Sequence, residues 1–180
     1  MEQHYEALRQ YLREHFSESF PPHFAPSDWA KNNGSTNCFA YALNANFPPV
    51  VQKIYMLNMQ QDLYNRVTSP DFSRHKMSSE FYNTIILKEF IKKLKHLNIP
   101  FEIVDKPTRS SKDSYSIALF ASLLEEDFHV IRRDANNSWS HKPGWTKPPE
   151  NLGKNFDKIK EELGKDYYEF VAFFKISKIN

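Results

Sequence analysis

The stretch Asn37–Leu43 reads NCFAYAL and contains the single cysteine of this 180-residue chain. Turn-forming and capping residues precede Cys38 (GST at 34–36, then Asn37), and residues that favour a helix or a core follow it. The pattern predicts a helix that begins at Cys38. Because a thiol in the first helical turn lies at the positive end of the helix dipole, we expect a lowered pKa and a nucleophilic thiolate. The alternative is a small buried hydrophobic residue beside Phe39 and Tyr41.

The composition indicates one folded domain. Hydrophobic residues make up 40% of the chain, which is enough for a core, and a chain of this length is typical of a single domain over 1–180. Within it, residues 1–30 are interpreted as an N-terminal helix and loop extension, and residues 31–176 as a catalytic core. The net charge of +2, with both signs interspersed, gives no electrostatic reason to expect nucleic acid or an anionic membrane as a partner.

The same composition limits the chemistry. One cysteine excludes an intrachain disulfide and fits a reducing compartment. With only four glycines, the chain carries neither a GxGxxG motif nor a P-loop, and no cofactor is expected. The polar N-terminus lacks the apolar segment of a secretory signal, and no window has the length and hydropathy of a membrane span. We expect a cytoplasmic monomer, or a bacterial effector secreted without a classical signal peptide.

The order of the predicted elements is helices first and strands last. Helical spacing predicts helices over 2–16, from Ser78 or Ser79 to about Leu97, and over 156–163. Residues 17–35 are expected to form a long loop, and 50–67 fits either a helix or an extended segment. Extended patterns follow Pro100, at 101–104, 116–121, 128–133, 138–142 and 168–176. This order predicts an α+β fold in which helices pack on an antiparallel sheet.

Two histidines form the second chemical element. His129 and His141 are twelve residues apart, and the turn-forming sequence DANN at 134–137 lies between them. In an antiparallel pair centred on that turn they fall opposite or nearly opposite each other on one face, with Cβ atoms about 4.5–5.5 Å apart. One imidazole can then orient the other, and the two form the base and its orienting partner of a catalytic triad. Only a thiol opposite them is needed to complete it. A register shift of one residue would place the rings on opposite faces and leave two ordinary polar residues.

A zinc site is the metal alternative. One cysteine and two histidines can form a three-ligand site with an open position. No ligand pair here has CxxC or tight helical spacing, so no metal is assigned.

A helix-borne Cys38, a central strand, a strand that begins near His129 and a polar His141 on the next strand follow one another in this chain. This order resembles that of the papain-like cysteine hydrolases, and most closely the NlpC/P60 branch, whose third residue is frequently a second histidine. The resemblance covers about residues 30–175. It implies a papain-like fold in which Cys38 is the nucleophile, His129 the general base and His141 the orienting residue.

Oxyanion and substrate contacts are also implied. Asn32 lies six residues before Cys38, where papain-type enzymes place the side-chain donor of the oxyanion hole. Asn37 is the rival for that role, and the Cys38 backbone N–H would be the second donor. Trp139 would either line the substrate cleft or cap the core.

The function predicted from these features is cleavage or transfer of a peptide-like amide bond, in a peptide or protein substrate, through a Cys38 acyl-enzyme. Peptidase, amidase, deamidase and transglutaminase activities share this machinery and remain open. The alternative is a catalytically inactive protein-interaction module or bacterial effector on the same fold.

Overall fold

The computed structural model describes residues 2–16, 18, 20–30, 36–45, 77–144 and 146–179. Within these ranges the helices are α1 (Glu2–His15), α2 (Pro26–Ala30), α3 (Cys38–Ala42), α4 (Ser79–His96) and α5 (Phe156–Lys165). The strands are β1 (Phe101–Val104), β2 (Ser114–Ser122), β3 (Asp127–Arg133), β4 (Trp139–His141), β5 (Glu150–Gly153) and β6 (Glu169–Ser177). The ambiguous segment 50–67 lies outside the described residues.

The strands form one six-stranded sheet in the order β1-β6-β2-β3-β4-β5, and every neighbouring pair is antiparallel. The predicted α+β class with an antiparallel sheet is therefore confirmed, and all five predicted strands are present. Strand β5 was not predicted. Its sequence ENLG is polar and partly exposed, so it carries no alternation of apolar and polar residues that would signal a strand.

Helices cover both faces of the sheet, which explains why β2 is buried along its whole length. Alternate residues of β2 enter two different cores. Ile117 and Leu119 pack with α3 and α4, whereas Ala118 and Phe120 pack with α5. A strand that is buried on both faces reads as a continuous apolar run, as the sequence of β2 does.

The longest described helix, α4, covers the first of these faces. Ser78 caps it, since its Oγ accepts the N–H of Phe81 at 3.2 Å. Its buried apolar side chains recur at spacings of four residues and include Tyr82, Ile86, Phe90 and Leu94. Among the described residues, no helix combines the length and the hydropathy that a membrane crossing would need.

A buried arginine on the sheet forms hydrogen bonds with α3 and with the N-terminal loop. Arg132 on β3 is 0% exposed, and its guanidinium donates to Asp134 Oδ1 at 2.8 Å, to the Tyr41 carbonyl at 2.9 Å and to the His23 carbonyl at 2.8 Å. The guanidinium also lies 3.8 Å from the centroid of the Tyr41 ring. Segment 20–30 is thus held by the core, and the predicted loop contains the short helix α2.

Candidate active site

Helix α3 begins at Cys38, as the sequence predicts, because Asn37 caps it. Asn37 has extended backbone angles, and its Oδ1 accepts the N–H groups of Phe39 at 3.0 Å and Ala40 at 3.1 Å. Its carbonyl accepts the N–H of Tyr41 at 3.0 Å. The N–H of Cys38 takes no part in this cap. Asn37 is therefore fixed beside the thiol, and the Cys38 amide lies outside the cap, close to the thiol of its own residue.

Cys38 lines a cleft of about 220 Å³ at the end of the sheet where β3 begins. Residues from both faces of the sheet contribute to it: α3 supplies Cys38 from one side, and α5 supplies Leu163 from the other. The lining residues are Asn37, Cys38, Asp127, Phe128, His129, His141, Pro143, Gly144, Leu163, Asp166 and Tyr168. The structure therefore brings four predicted site residues into one cleft: Asn37, Cys38, His129 and His141.

The two histidines are in contact. The register pairs Arg132 with Ser140, which places His141 diagonally across from His129 on the same face. Their ring centroids are 4.9 Å apart with an interplanar angle of 82°, and His129 Nε2 lies 2.7 Å from His141 Nδ1. The predicted pairing of the two imidazoles is confirmed. Since Nε2 of His129 is used by His141, Nδ1 is the nitrogen that His129 has left for a substrate or a thiol.

Burial keeps both imidazoles neutral. It lowers the pKa of His129 to about 3, and the neighbouring His141 lowers it further. Burial also lowers the pKa of His141, although the carboxylate of Glu150 acts in the opposite direction. At neutral pH the pair is therefore two neutral rings that share one proton in one hydrogen bond.

The thiol is also neutral in the free protein. Burial raises the pKa of Cys38 to about 12, and the negative charge of Asp127 contributes to the increase. The backbone N–H groups of Val130, Phe39 and Cys38 itself oppose that shift without cancelling it. The sequence-based prediction of a lowered pKa is wrong here. Because α3 has only five residues, its dipole is small compared with the cost of burying a charge on sulfur.

Several residues of the site were missed by the sequence analysis. Glu150 on β5 is the register partner of His141, and its Oε2 lies 3.6 Å from His141 Nε2. Tyr168 donates a hydrogen bond to Asp127 Oδ2 at 2.8 Å, at the mouth of the cleft. Nothing in the sequence near Glu150 indicated a strand. Asp127 could have been found, since it directly precedes the strand that carries His129.

Two predicted site residues are not placed in the cleft. Trp139 is 1% exposed and packs against Phe156 at 5.3 Å and Phe173 at 6.2 Å between ring centroids, in the core under α5. Of the two roles considered for Trp139, its burial and its ring contacts favour the core role over a substrate contact. Asn32, the first candidate for the side-chain donor of the oxyanion hole, lies outside the described residues.

Within the described ranges, no group of three or more His, Cys, Asp or Glu side chains is arranged to hold a metal ion. No protein-family model matches the chain, and no curated protein matches it either.

Proposed function

We propose that the protein is a cysteine hydrolase or acyltransferase that acts on a peptide-like amide bond through an acyl-enzyme on Cys38. The observation that carries this proposal is the 2.7 Å contact between His129 Nε2 and His141 Nδ1 in the cleft that Cys38 also lines. A base held by an orienting partner beside a thiol is the machinery of nucleophilic acyl transfer.

The tautomers follow from the requirement that His129 act as the base. For Nδ1 of His129 to accept a proton, its Nε2 must carry the hydrogen and donate it to Nδ1 of His141. His141 then carries its own hydrogen on Nε2, on the side of Glu150 Oε2 at 3.6 Å. The negative charge of Glu150 favours that tautomer and stabilises the positive charge that develops on the pair during reaction.

The proposed reaction starts from the neutral thiol and the neutral imidazole, in keeping with the shifted pKa values of Cys38 and His129. Sulfur attacks the amide carbonyl carbon while its proton moves to Nδ1 of His129. That proton then passes to the amine as the C–N bond breaks, which leaves a thioester on Cys38. Water or an amine attacks the thioester, loses a proton to Nδ1 and releases the thiol.

The oxyanion would be stabilised by donors at the start of α3. The Cys38 N–H is outside the Asn37 cap, and Asn37 Oδ1 is used by the helix, so Asn37 can offer its amide Nδ2. Removal of one such donor typically slows acyl transfer about 10²–10³-fold. Asn32 remains the alternative donor.

The proposal includes a papain-like fold. A nucleophile at the start of a helix, followed by an antiparallel sheet that carries the base and its partner on adjacent strands, resembles the papain-like hydrolases of the NlpC/P60 type. We extend the proposal to a peptide or protein substrate and to a monomer that acts in the cytoplasm or as a secreted effector.

One observation favours a second function. Cys38 is 7% exposed and its pKa is raised, and inert structural cysteines share these properties. In that case the domain would be a catalytically inactive interaction module. A reactivity test on Cys38 and the two histidines separates the two functions.

The test uses p-nitrophenyl acetate, a small activated acyl donor that requires no knowledge of the substrate. The wild-type protein should release nitrophenolate and retain an acetyl group on Cys38, which peptide mass spectrometry detects. His129→Ala should slow acetylation by about 10²-fold or more, because general-base catalysis contributes 10²–10⁴-fold. Cys38→Ser serves as the blank, and circular dichroism checks that each variant is folded.

The two histidines are separated by a ranking of variants. His141→Ala should leave a weakened enzyme, and His141→Asn should retain more activity than His141→Ala, because an amide oxygen can still accept the proton of His129 Nε2. The reverse ranking of His129 and His141 would assign His141 as the base. Equal and small effects of all three changes would reject the hydrolase in favour of the interaction module.

A further inference from the structure

Lys142, which follows β4 directly, is an unusual residue to find fully buried. It is 0% exposed, and its Nζ donates a hydrogen bond to the Gly144 carbonyl at 2.9 Å. Lysine is almost never fully buried without a compensating partner, because the ammonium group loses its hydration. The reaction described above assigns no role to this charge.

Two observations place Lys142 on the side of the β3–β4 hairpin that faces α3. First, the β3–β4 register pairs Arg132 with Ser140, so its continuation by two residues sets Lys142 next to Val130. The N–H of Val130 interacts with the Cys38 thiol.

Second, the Tyr41 hydroxyl and Ser140 Oγ are 2.8 Å apart, which aligns α3 with β4. From Tyr41 to Cys38 is one helical turn, and from Ser140 to Lys142 is one strand repeat on the same face. The step from Tyr41 to Cys38 and the step from Ser140 to Lys142 both lead towards the end of β3 at which the cleft opens.

The charged groups that line the cleft indicate which role Lys142 has. Among the described residues that line the cleft, two are acidic, Asp127 and Asp166, and none is a lysine or an arginine. His129 and His141 are neutral there, and Tyr168 is a neutral phenol whose pKa burial raises further. The lining thus opposes negative charge on sulfur, and Asp127 does so directly. A cation close to the thiol would oppose this effect.

We propose that Lys142 is a positioning residue of the same reaction, whose buried ammonium group stabilises the negative charge that develops at Cys38. The inference rests on the proposed function. Through Gly144, the same ammonium also holds the turn that forms one wall of the cleft. Burial lowers the pKa of Lys142 to about 8, and the interaction with Cys38 acts against that decrease. Lys142 therefore carries its charge below about pH 8 and loses it above.

The experiment measures alkylation of Cys38 by iodoacetamide between pH 6 and pH 10 in the wild type, Lys142→Met and Lys142→Arg. Below pH 8, Lys142→Met should react about tenfold more slowly, since a rise of one unit in the thiol pKa lowers the thiolate fraction tenfold. The difference should shrink above pH 8, where wild-type Lys142 is itself neutral. Lys142→Arg should keep the fast reaction at both ends, because arginine stays protonated.

A purely structural role predicts another pattern. If Lys142 only held the turn at Gly144, the ratio of wild-type to Lys142→Met rates would not depend on pH, and that result would overturn the proposal. Lys142→Gln, which can still donate to the Gly144 carbonyl, is the second uncharged variant should Lys142→Met not fold. It should reproduce the pH-dependent ratio of Lys142→Met.

The readouts distinguish this inference from the proposed function, since alkylation reports the thiol and acetylation by p-nitrophenyl acetate reports catalysis. If the alkylation ratio depends on pH as stated but no protein is acetylated, the effect of Lys142 on the thiol stands, whereas the hydrolase and a catalytic use of that effect are rejected. If Cys38 is acetylated but Lys142→Met leaves the alkylation profile unchanged, the role of Lys142 alone is rejected.

Discussion

At the scale of the residue, we propose that opposite charges act on one sulfur atom. Asp127 raises the pKa of Cys38, and the ammonium group of Lys142 is proposed to act in the opposite direction. Asp127 is fixed, because Tyr168 donates to its Oδ2 and the Phe128 N–H donates to its Oδ1, both at 2.8 Å. This fixed carboxylate at the mouth of the cleft makes the thiol less acidic. Because two hydrogen bonds hold Asp127 in place, an isosteric amide at this position tests the effect of the Asp127 charge while the position of the side chain is kept.

Asp127→Asn should make Cys38 react faster with iodoacetamide. The amide oxygen can still accept from Tyr168 or from the Phe128 N–H, while the negative charge that raises the pKa of Cys38 is removed. We expect alkylation at pH 8 to be about three- to tenfold faster, which corresponds to a decrease of up to one pKa unit. Asp166→Asn is the matched control, because Asp166 lines the same cleft but does not contribute to the shift at Cys38. Equal acceleration in both variants would contradict a specific effect of Asp127.

Cys38 also shows which properties of a residue can be predicted from the sequence and which cannot. The sequence indicated that Cys38 begins a helix, because Asn37 and the residues before it are local signals. The direction of the thiol pKa shift was wrong, since it depends on burial by β3 and on Asp127, which is 89 residues away along the chain. Local capping chemistry is visible in a sequence, whereas burial arises from tertiary packing.

At the scale of the element, α3 joins a structural role to a chemical one at Asn37. Its side-chain oxygen caps the helix, and its amide nitrogen is the proposed oxyanion donor. Asn37→Ala should lower the free energy of unfolding by about 1 kcal/mol and slow acetylation of Cys38 about 10²-fold or more. Asn37→Ser keeps a capping oxygen but lacks the amide, so it should restore stability and not acetylation. Urea unfolding and acetylation rates measure the two effects.

The outcome for Asn37→Ser decides between the two asparagines. Full acetylation in Asn37→Ser would show that Asn37 is only a cap, and Asn32 would then take the role of donor. In that case Asn32→Ala should slow acetylation without changing the thiol pKa, since an oxyanion donor acts on the substrate oxygen.

Most elements were predictable because their signals are local. The apolar periodicity of α4, the continuous apolar run of β2 and the turn between β3 and β4 all come from neighbouring residues. The histidine pair was found for the same reason, because a hairpin brings residues at a fixed spacing together. The surroundings of Trp139 could not be predicted from its place in a strand. That place determines the face of the sheet on which the side chain lies, but not which element covers this face.

At the scale of the whole molecule, the fold buries two separate polar groups at the β3–β4 hairpin, the Arg132–Asp134 ion pair and the His129–His141 pair. Arg132, Asp134, Ser140, His129 and His141 all lie on or beside the same hairpin and are at most 8% exposed. Removal of one member of a buried ion pair such as Arg132–Asp134 typically costs about 3–5 kcal/mol. The hairpin that positions the cleft is therefore also a region where changes in protonation would affect the stability of the whole domain.

The pH dependence of stability tests this link. Burial lowers the pKa of His129 in the folded protein to about 3, whereas an unfolded histidine titrates near 6.5. Between these values the unfolded chain binds one proton more than the folded chain, so the His129 contribution is full above about pH 6.5 and is lost as the pH falls towards 3. The slope is about 1.4 kcal/mol per pH unit. From pH 7 to pH 4.5, urea unfolding should therefore show a loss of about 2–3 kcal/mol that is due to His129.

The comparison with His129→Gln isolates that contribution. Protonation of the carboxylates and of the histidines other than His141 is common to both proteins, so the difference between their stability losses reports the hydrogen-bonded pair of His129 and His141. His15→Gln, on the exposed face of α1, is the control for the replacement of a histidine by glutamine as such. A decline as steep in His129→Gln as in the wild type would mean that His129 takes up a proton in the folded protein. The neutral base from which the proposed reaction starts would then be absent at that pH.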